Sequence, residues 1–163
     1  IKFFGAILLL YCAVIMWRSY DMVVIPYENV QMSPNFEPKE IYVGTRFKDY
    51  SKIEYNDIVY YDYRHSRIKS RTDALFYGRV IGLPGDSIEI KGGEVYRNGC
   101  KVHEPYIASN NYRKDYRAPV MVPRDHLYVM VDNRKKTREI YHKDSRFWGP
   151  ILVYSVNGEI QPK

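Results

Sequence analysis

The stretch from Phe3 to Trp17, FFGAILLLYCAVIMW, carries no charged residue, and it constrains the fold more than any other feature of the chain. An unbroken apolar segment has to leave water, either in a protein core or in a bilayer. Counted from Ile1 to Trp17 it spans 17 positions, the lower edge of a helical membrane crossing. Trp17 and Arg18 supply the aromatic and basic border of a lipid interface, and no small-x-small cleavage site follows. The sequence therefore predicts an uncleaved, single-pass transmembrane helix over 1–18. The competing reading is a buried core helix, but its neighbours show no helical partner pattern. The chain opens on Ile rather than Met, which suggests that a few residues are missing upstream. Lys2 against Arg18 does not decide the orientation.

Beyond Trp17 the pattern changes to short strands punctuated by turns. Strands are expected at Ile41–Val43, Asp57–Tyr61, Leu75–Ile81, Ser87–Ile90, Glu94–Arg97, His126–Val131 and Ile151–Val156. Leu83-Pro84-Gly85-Asp86 places proline and then glycine where a type II turn wants them, and Asn98-Gly99 marks a tight hairpin. Residues 64–73 are polar and basic, residues 108–117 are rich in Asn, Arg and Tyr, and both read as exposed loops. A length of 163 residues suits one anchored domain. The abundance of aromatics, 17 Tyr and 6 Phe, favours strands. The fold class is thus all-β, one domain of hairpins over 19–163 after the helix.

A formal net charge of +6 raises the question of nucleic acid, because Arg64, Arg67, Lys69 and Arg71, or Arg134, Lys135, Lys136 and Arg138, could neutralise phosphates. In an anchored domain a solvated face, or attraction to anionic lipid or an anionic envelope polymer, is the better reading. No nucleic-acid partner is expected. Cys12 lies in the apolar run and Cys100 in a hairpin, so no disulfide framework is expected.

Several segments together resemble the bacterial type I signal peptidases, the S26 family of serine proteases that remove signal peptides at the outer membrane surface. Gly78 to Asp86 reads GRVIGLPGD and matches that family's KRVIGLPGD strand and turn at every position but the first. Asn98-Gly99 and Glu104-Pro105-Tyr106 resemble its NG and EPY elements, and Val122-Pro123 its VP. Tyr128 to Arg134 resembles FVMGDNR, and Asp144 to Gly149 resembles DSRxxG. Asp57-Ile58-Val59 resembles the GDIV strand, and Met32-x-Pro34 the SMxPT nucleophile loop. These matches run in family order from Met32 to Gly149.

The resemblance implies a serine nucleophile activated by a lysine that has to be neutral to take its proton, so its pKa of ~10.4 has to be pulled down by burial. The residue immediately before Met32 is Gln31, and the residue immediately before Arg79 is Gly78. Neither the nucleophile nor the base is expected to work. The serine thought to orient the lysine falls on His142, with Thr137 as the other candidate because the loop between Arg134 and Asp144 is about five residues longer than usual. Pro26 and Gln31 are also two residues further apart than in the family's PSGSM, and Val131 replaces the glycine of GDN. A rebuilt site is the enzymatic alternative, with Ser33 as nucleophile and His142 or Lys143 as base.

What the resemblance leaves is a scaffold that takes an extended peptide by strand addition against Met32, Pro34, Asp57, Ile58 and Val59. Arg79, Asp132, Arg134, Asp144 and Arg146 correspond to the family's ionic cluster and are expected to be structural. Signal-peptidase-like proteins without a working dyad assist sortase-dependent pilus building in Gram-positive bacteria. By that likeness the chain is expected to be a chaperone or scaffold holding extended pilin segments. Its β domain would lie on the extracytoplasmic side of the cell membrane, with no cofactor and no metal. A basic envelope-polymer binder is the remaining alternative.

Overall fold

A computed structural model of the chain describes residues 2–24, 31–37, 40–47, 49–62, 75–107, 115–134 and 144–161. Helix α1, Lys2–Ser19, is built from the apolar run, which contains no proline and ends with Arg18 in its last turn. Among the described residues no helix is long and apolar enough to cross a membrane. The uncharged part, Phe3 to Trp17, amounts to about 22 Å of helix against a hydrocarbon core of ~30 Å. The single-pass anchor expected over 1–18 therefore does not follow from the structure.

The rest of the described chain is antiparallel β structure in two sheets. The strands are β1 (Tyr20–Val24), β2 (Ile41–Arg46), β3 (Ile58–Asp62), β4 (Leu75–Gly82), β5 (Ser87–Lys91), β6 (Glu94–Arg97), β7 (Cys100–Lys101), β8 (Arg117–Met121), β9 (His126–Met130), β10 (Ile151–Leu152) and β11 (Val156–Ile160). The larger sheet runs in the order β1-β2-β11-β3-β4-β9-β10, the smaller in the order β7-β6-β5-β8. A four-residue helix, α2 (Ser145–Trp148), follows β9. This is the all-β class read from the turn and strand pattern.

The turns form where the local chemistry places them. Gly85 has φ 93 and Asp86 N–H donates to Leu83 C=O at 3.0 Å, closing the Pro-Gly turn that carries the chain from one sheet to the other. Asn98 and Gly99 have φ 54 and 82, the two left-handed residues of a two-residue hairpin turn. The expected strand at Ile151–Val156 is instead interrupted by a 3-10 turn, Val153–Ser155, so that β10 pairs with β9 whereas β11 inserts between β2 and β3.

Alternation along β3 sorts the core. Ile58 and Tyr60 join a cluster with Met32, Phe36, Tyr42, Tyr77 and Val131 on one side. Val59 and Tyr61 join Val80, Val129, Ile151 and Val156 on the other. A third cluster, including Ile81, Ile88, Tyr128 and Met130, lies where the two sheets meet.

Candidate functional site

The segment Gln31–Phe36 folds into a tight turn in which the amides of Asn35 and Phe36 both donate to Met32 C=O, at 2.9 and 3.1 Å. Met32 and Phe36 are buried because their side chains plug the first core cluster. Ser33 is half-buried and Pro34 exposed. Gln31, 3% exposed, is tied down by its carbonyl, which accepts from Asn133 N–H at 2.8 Å.

Gly78 sits in β4 opposite Val59 of β3. A Cβ built at Gly78 would lie 3.2 Å from Val129 Cβ and 3.6 Å from Met130 C=O, so any side chain there would start out against β9. The turn that carries Gln31 and the strand that carries Gly78 converge on one carboxylate. Arg79 binds Asp132 in a fork, Nε to Oδ1 at 2.8 Å and Nη2 to Oδ2 at 2.6 Å. Asn35 Nδ2 donates to the same Oδ2 at 2.7 Å and to Tyr106 C=O at 2.9 Å. Arg79 also donates to Asn56 C=O at 2.9 Å and lies 4.0 Å above the Tyr106 ring. Asp132 is fully buried, which is tolerable because both oxygens are met by donors and the charge is matched. Burial raises the Tyr77 hydroxyl, next to this pair in β4, to about 12.

The remaining charges expected in one cluster separate into two further groups. Asp144 caps α2 by accepting from Arg146 N–H at 3.0 Å, receives Arg146 Nη2 at 2.8 Å, and accepts from Val131 N–H at 3.1 Å. Arg146 also reaches Asp115 at 3.5 Å. Burial alone would lower the Arg146 pKa, but Asp144 and Asp115 overcome it and raise it. Arg134 pairs with Glu104 and lends Nη1 to Met130 Sδ at 3.4 Å. It faces the protein interior and not solvent, so of the second basic run this residue is not a surface cation. Asn35, Glu104, Tyr106 and Asp115 all belong to this machinery, yet sequence reasoning did not assign them to it.

The expected peptide-binding set needs correction. Ile58 and Val59 are buried, and β3 is hydrogen-bonded to β11 on one side and β4 on the other. An interior strand offers no edge to an incoming peptide. Met32 is likewise core, which leaves Pro34 and the partly exposed Asp57 as the accessible members, with the half-buried Ser33 beside Pro34. Burial raises the Asp57 pKa despite the amide of Glu54 that it accepts. Pro26, Thr137, His142 and Lys143, the loop at 64–73 and most of that at 108–117 lie outside the described residues. Among the described residues no His, Cys, Asp and Glu stand together as a metal site requires.

A curled antiparallel scaffold with a buried Arg–Asp fork under a Met-Pro turn defines a signal-peptidase type of fold. It matches the crystal structure of a signal peptidase I from Enterococcus faecalis V583 with a TM-score of 0.53 and 26% identity, over 68% of this chain and 97% of that one. The profile of the family described as signal peptidase, peptidase S26, matches residues 1–162, and the chain belongs to that family. Signal peptidase I V of Bacillus subtilis (strain 168) is 32% identical over 86% of this chain and 85% of its own length. Signal peptidase I S of the same strain is 31% identical over 73% of this chain and 67% of its own.

Proposed function

We propose that this chain is a membrane-anchored signal-peptidase-like protein that holds peptide in extended form without cutting it, as a chaperone or scaffold in the assembly of surface pili. The observation that carries the reading is the pairing of Gln31 and Gly78. The two elements corresponding to those that bear the family's nucleophile and base meet at Asp132, yet one presents a carboxamide and the other a hydrogen atom. A carboxamide is not a useful acyl carrier, and without a basic side chain no group takes the proton of an attacking hydroxyl. Losing one member of such a pair removes most of its rate enhancement, so losing both leaves little reason for turnover.

Binding does not need either side chain. The accessible Ser33–Pro34 turn and Asp57 remain as the seat for an extended segment, held by the Asp132 fork beneath them. A position beside a membrane agrees with the apolar exposure at the start of the chain, and the extracytoplasmic side rests on likeness to the family. Leu9, Leu10 and Trp17 of α1 are 73%, 70% and 75% exposed, and Met22 and Val43, paired across β1 and β2, are 77% and 62% exposed. The client, a pilin segment delivered to sortase-dependent polymerisation, rests on likeness to dyad-lacking proteins of this kind.

The test is incubation of the membrane-embedded chain with a lipid-embedded preprotein, followed by mass spectrometry. No product is expected. Cleavage after a small-x-small site that is abolished by Ser33→Ala or His142→Ala would establish a rebuilt peptidase instead. For the client, pilus polymerisation should fail when the gene is deleted and recover with the Gln31→Ala form.

A further inference from the structure

On the face of the large sheet opposite Met32, four turns close around a cavity of about 540 Å3. The walls are the 3-10 turns Tyr50–Lys52 and Val153–Ser155, the Leu83–Pro84 turn, and the Arg124–Asp125 corner that leads into β9. The floor is apolar, formed by Ile53, Leu127 and Val153 of the second core cluster. Tyr50 and Tyr154 meet edge to face, centroids 5.6 Å apart and planes at 88°. Tyr154 is 67% exposed, so one aromatic plate stands in solvent beside the cavity.

The Arg124 and Asp125 side chains at the rim are exposed to solvent and not paired with each other. Asp125 holds φ 61, and its carbonyl accepts from Val153 N–H at 2.9 Å. Among the described residues neither the Arg124 guanidinium nor the Asp125 carboxylate takes part in a hydrogen bond or ion pair, although the two are adjacent in the chain. Asp49, also at the rim, is engaged by Ser51. With one cation beside two carboxylates, neither sign dominates, which does not suit a highly charged ligand. The walls are turns with no ladder of free N–H and C=O groups, which does not suit an extended peptide.

We propose that this cavity is a saccharide site that takes an N-acetylated amino sugar. A pyranose presents an apolar C–H face that packs flat on an exposed aromatic ring. Its acetyl methyl suits the Ile53, Leu127 and Val153 floor, and its amide and hydroxyls offer donors to Asp125 and acceptors to Arg124 in exchange for the solvent that these exposed groups otherwise face. The volume is within the range of small-ligand sites. Because Val59 and Tyr61 face this floor whereas Ile58 and Tyr60 face Met32, the site is independent of the peptide seat.

The test uses the full chain, solubilised in a detergent without a sugar headgroup, and a β-1,4-linked tetramer of N-acetylglucosamine as probe. Saturation-transfer NMR should show the strongest transfer at the acetyl methyl and ring protons, with affinity measured by calorimetry. Tyr154→Ala should weaken binding about tenfold. Asp125→Gly should weaken it several-fold while leaving thermal unfolding unchanged, since glycine takes φ 61 without strain. Pro34→Ala, on the other face, should leave affinity unchanged. No transfer at millimolar tetramer, equal affinity in the Tyr154 and Asp125 variants, or equal binding of a glucose tetramer lacking acetyl groups would each overturn the proposal.

Discussion

Replacing Asp132 by alanine removes the one group on which the Gln31 turn and the Gly78 strand converge, and its cost can be worked from the contacts. Two charge-assisted bonds from Arg79 and one bond from Asn35 end on this carboxylate. The Arg79 side chain is 9% exposed and that of Asp132 is 0%, so after the change a buried guanidinium keeps only Asn56 C=O and the Tyr106 ring. Breaking a buried pair by removing one partner costs about 3–5 kcal/mol, a large share of the roughly 5–15 kcal/mol that holds a domain together. Asp132→Asn keeps an acceptor but loses the charge, and should cost less than half as much. The double change Asp132→Ala with Arg79→Met replaces the pair by apolar groups and should recover much of the loss. Denaturant unfolding of these variants, the Arg79→Met single variant and the unchanged protein, followed by tryptophan fluorescence, gives the free energies and the coupling between the sites. A loss below ~0.5 kcal/mol for Asp132→Ala, or a double variant no better than the single one, would mean that the fork is wetted and does not hold the turn.

Asp144→Ala should cost on the order of 3 kcal/mol, because it strands Arg146 and the Val131 amide and uncaps α2; thermal unfolding reads it directly. Neither Gln31→Ser nor Gly78→Lys alone should produce cleavage of a lipid-embedded preprotein in a product assay, since each restores half of a cooperative pair. Gly78→Lys should in addition cost ~1–3 kcal/mol, because its Cβ would lie 3.2 Å from Val129 Cβ. Tyr77 is raised to about 12 by burial, so its contribution is complete below pH ~10, where both states hold the proton, and falls away as pH rises toward 12. Tyr77→Phe should therefore flatten the alkaline loss of stability by roughly 2 kcal/mol, measured as the pH dependence of the unfolding midpoint.

The parts of the fold legible in the sequence are those whose cause is local. Pro84-Gly85 and Asn98-Gly99 dictate their own backbone angles, and β4, β5, β6 and β9 follow from runs of alternating or branched residues between such turns. Strand β1 was hidden because its few residues follow directly on α1 with no turn signal between them, and β8 because Pro119 at its centre speaks against a strand. At 151–156 the pattern is apolar but for Ser155, while the 3-10 turn that divides it goes with pairing to two different neighbours. In the site, Arg79, Asp132, Asp144 and Arg146 stood out only because they belong to motifs. Their partners Asn35, Glu104 and Asp115 come from distant segments, and an acidic residue in a polar stretch looks the same whether it ends beside a buried arginine or in water. The Glu-Pro-Tyr run containing Glu104 and Tyr106 was the one available signal, since two of its three residues touch the arginines of the site.

Helix α1 ends at Ser19 and β1 begins at Tyr20, so the join contains no spacer. With α1 as the proposed anchor, the domain is a rigid fitting and not a tethered float: a tilt of the helix becomes a tilt of the outermost strand of the large sheet, and through β2 of the whole sheet. A flexible leash would let the peptide seat sweep a hemisphere whose radius grows with linker length. A leash of zero length leaves the height of the seat above the bilayer to the fold itself and not to a linker. Polypeptides emerging from the same membrane then meet the seat at a high and nearly constant local concentration, whereas chains already free in the surroundings meet it only at their bulk concentration. Inserting a flexible Gly-Ser segment between Ser19 and Tyr20 would leave the strand pairing of the domain intact, release α1 from its contacts with β1 and β2, and remove that positional advantage.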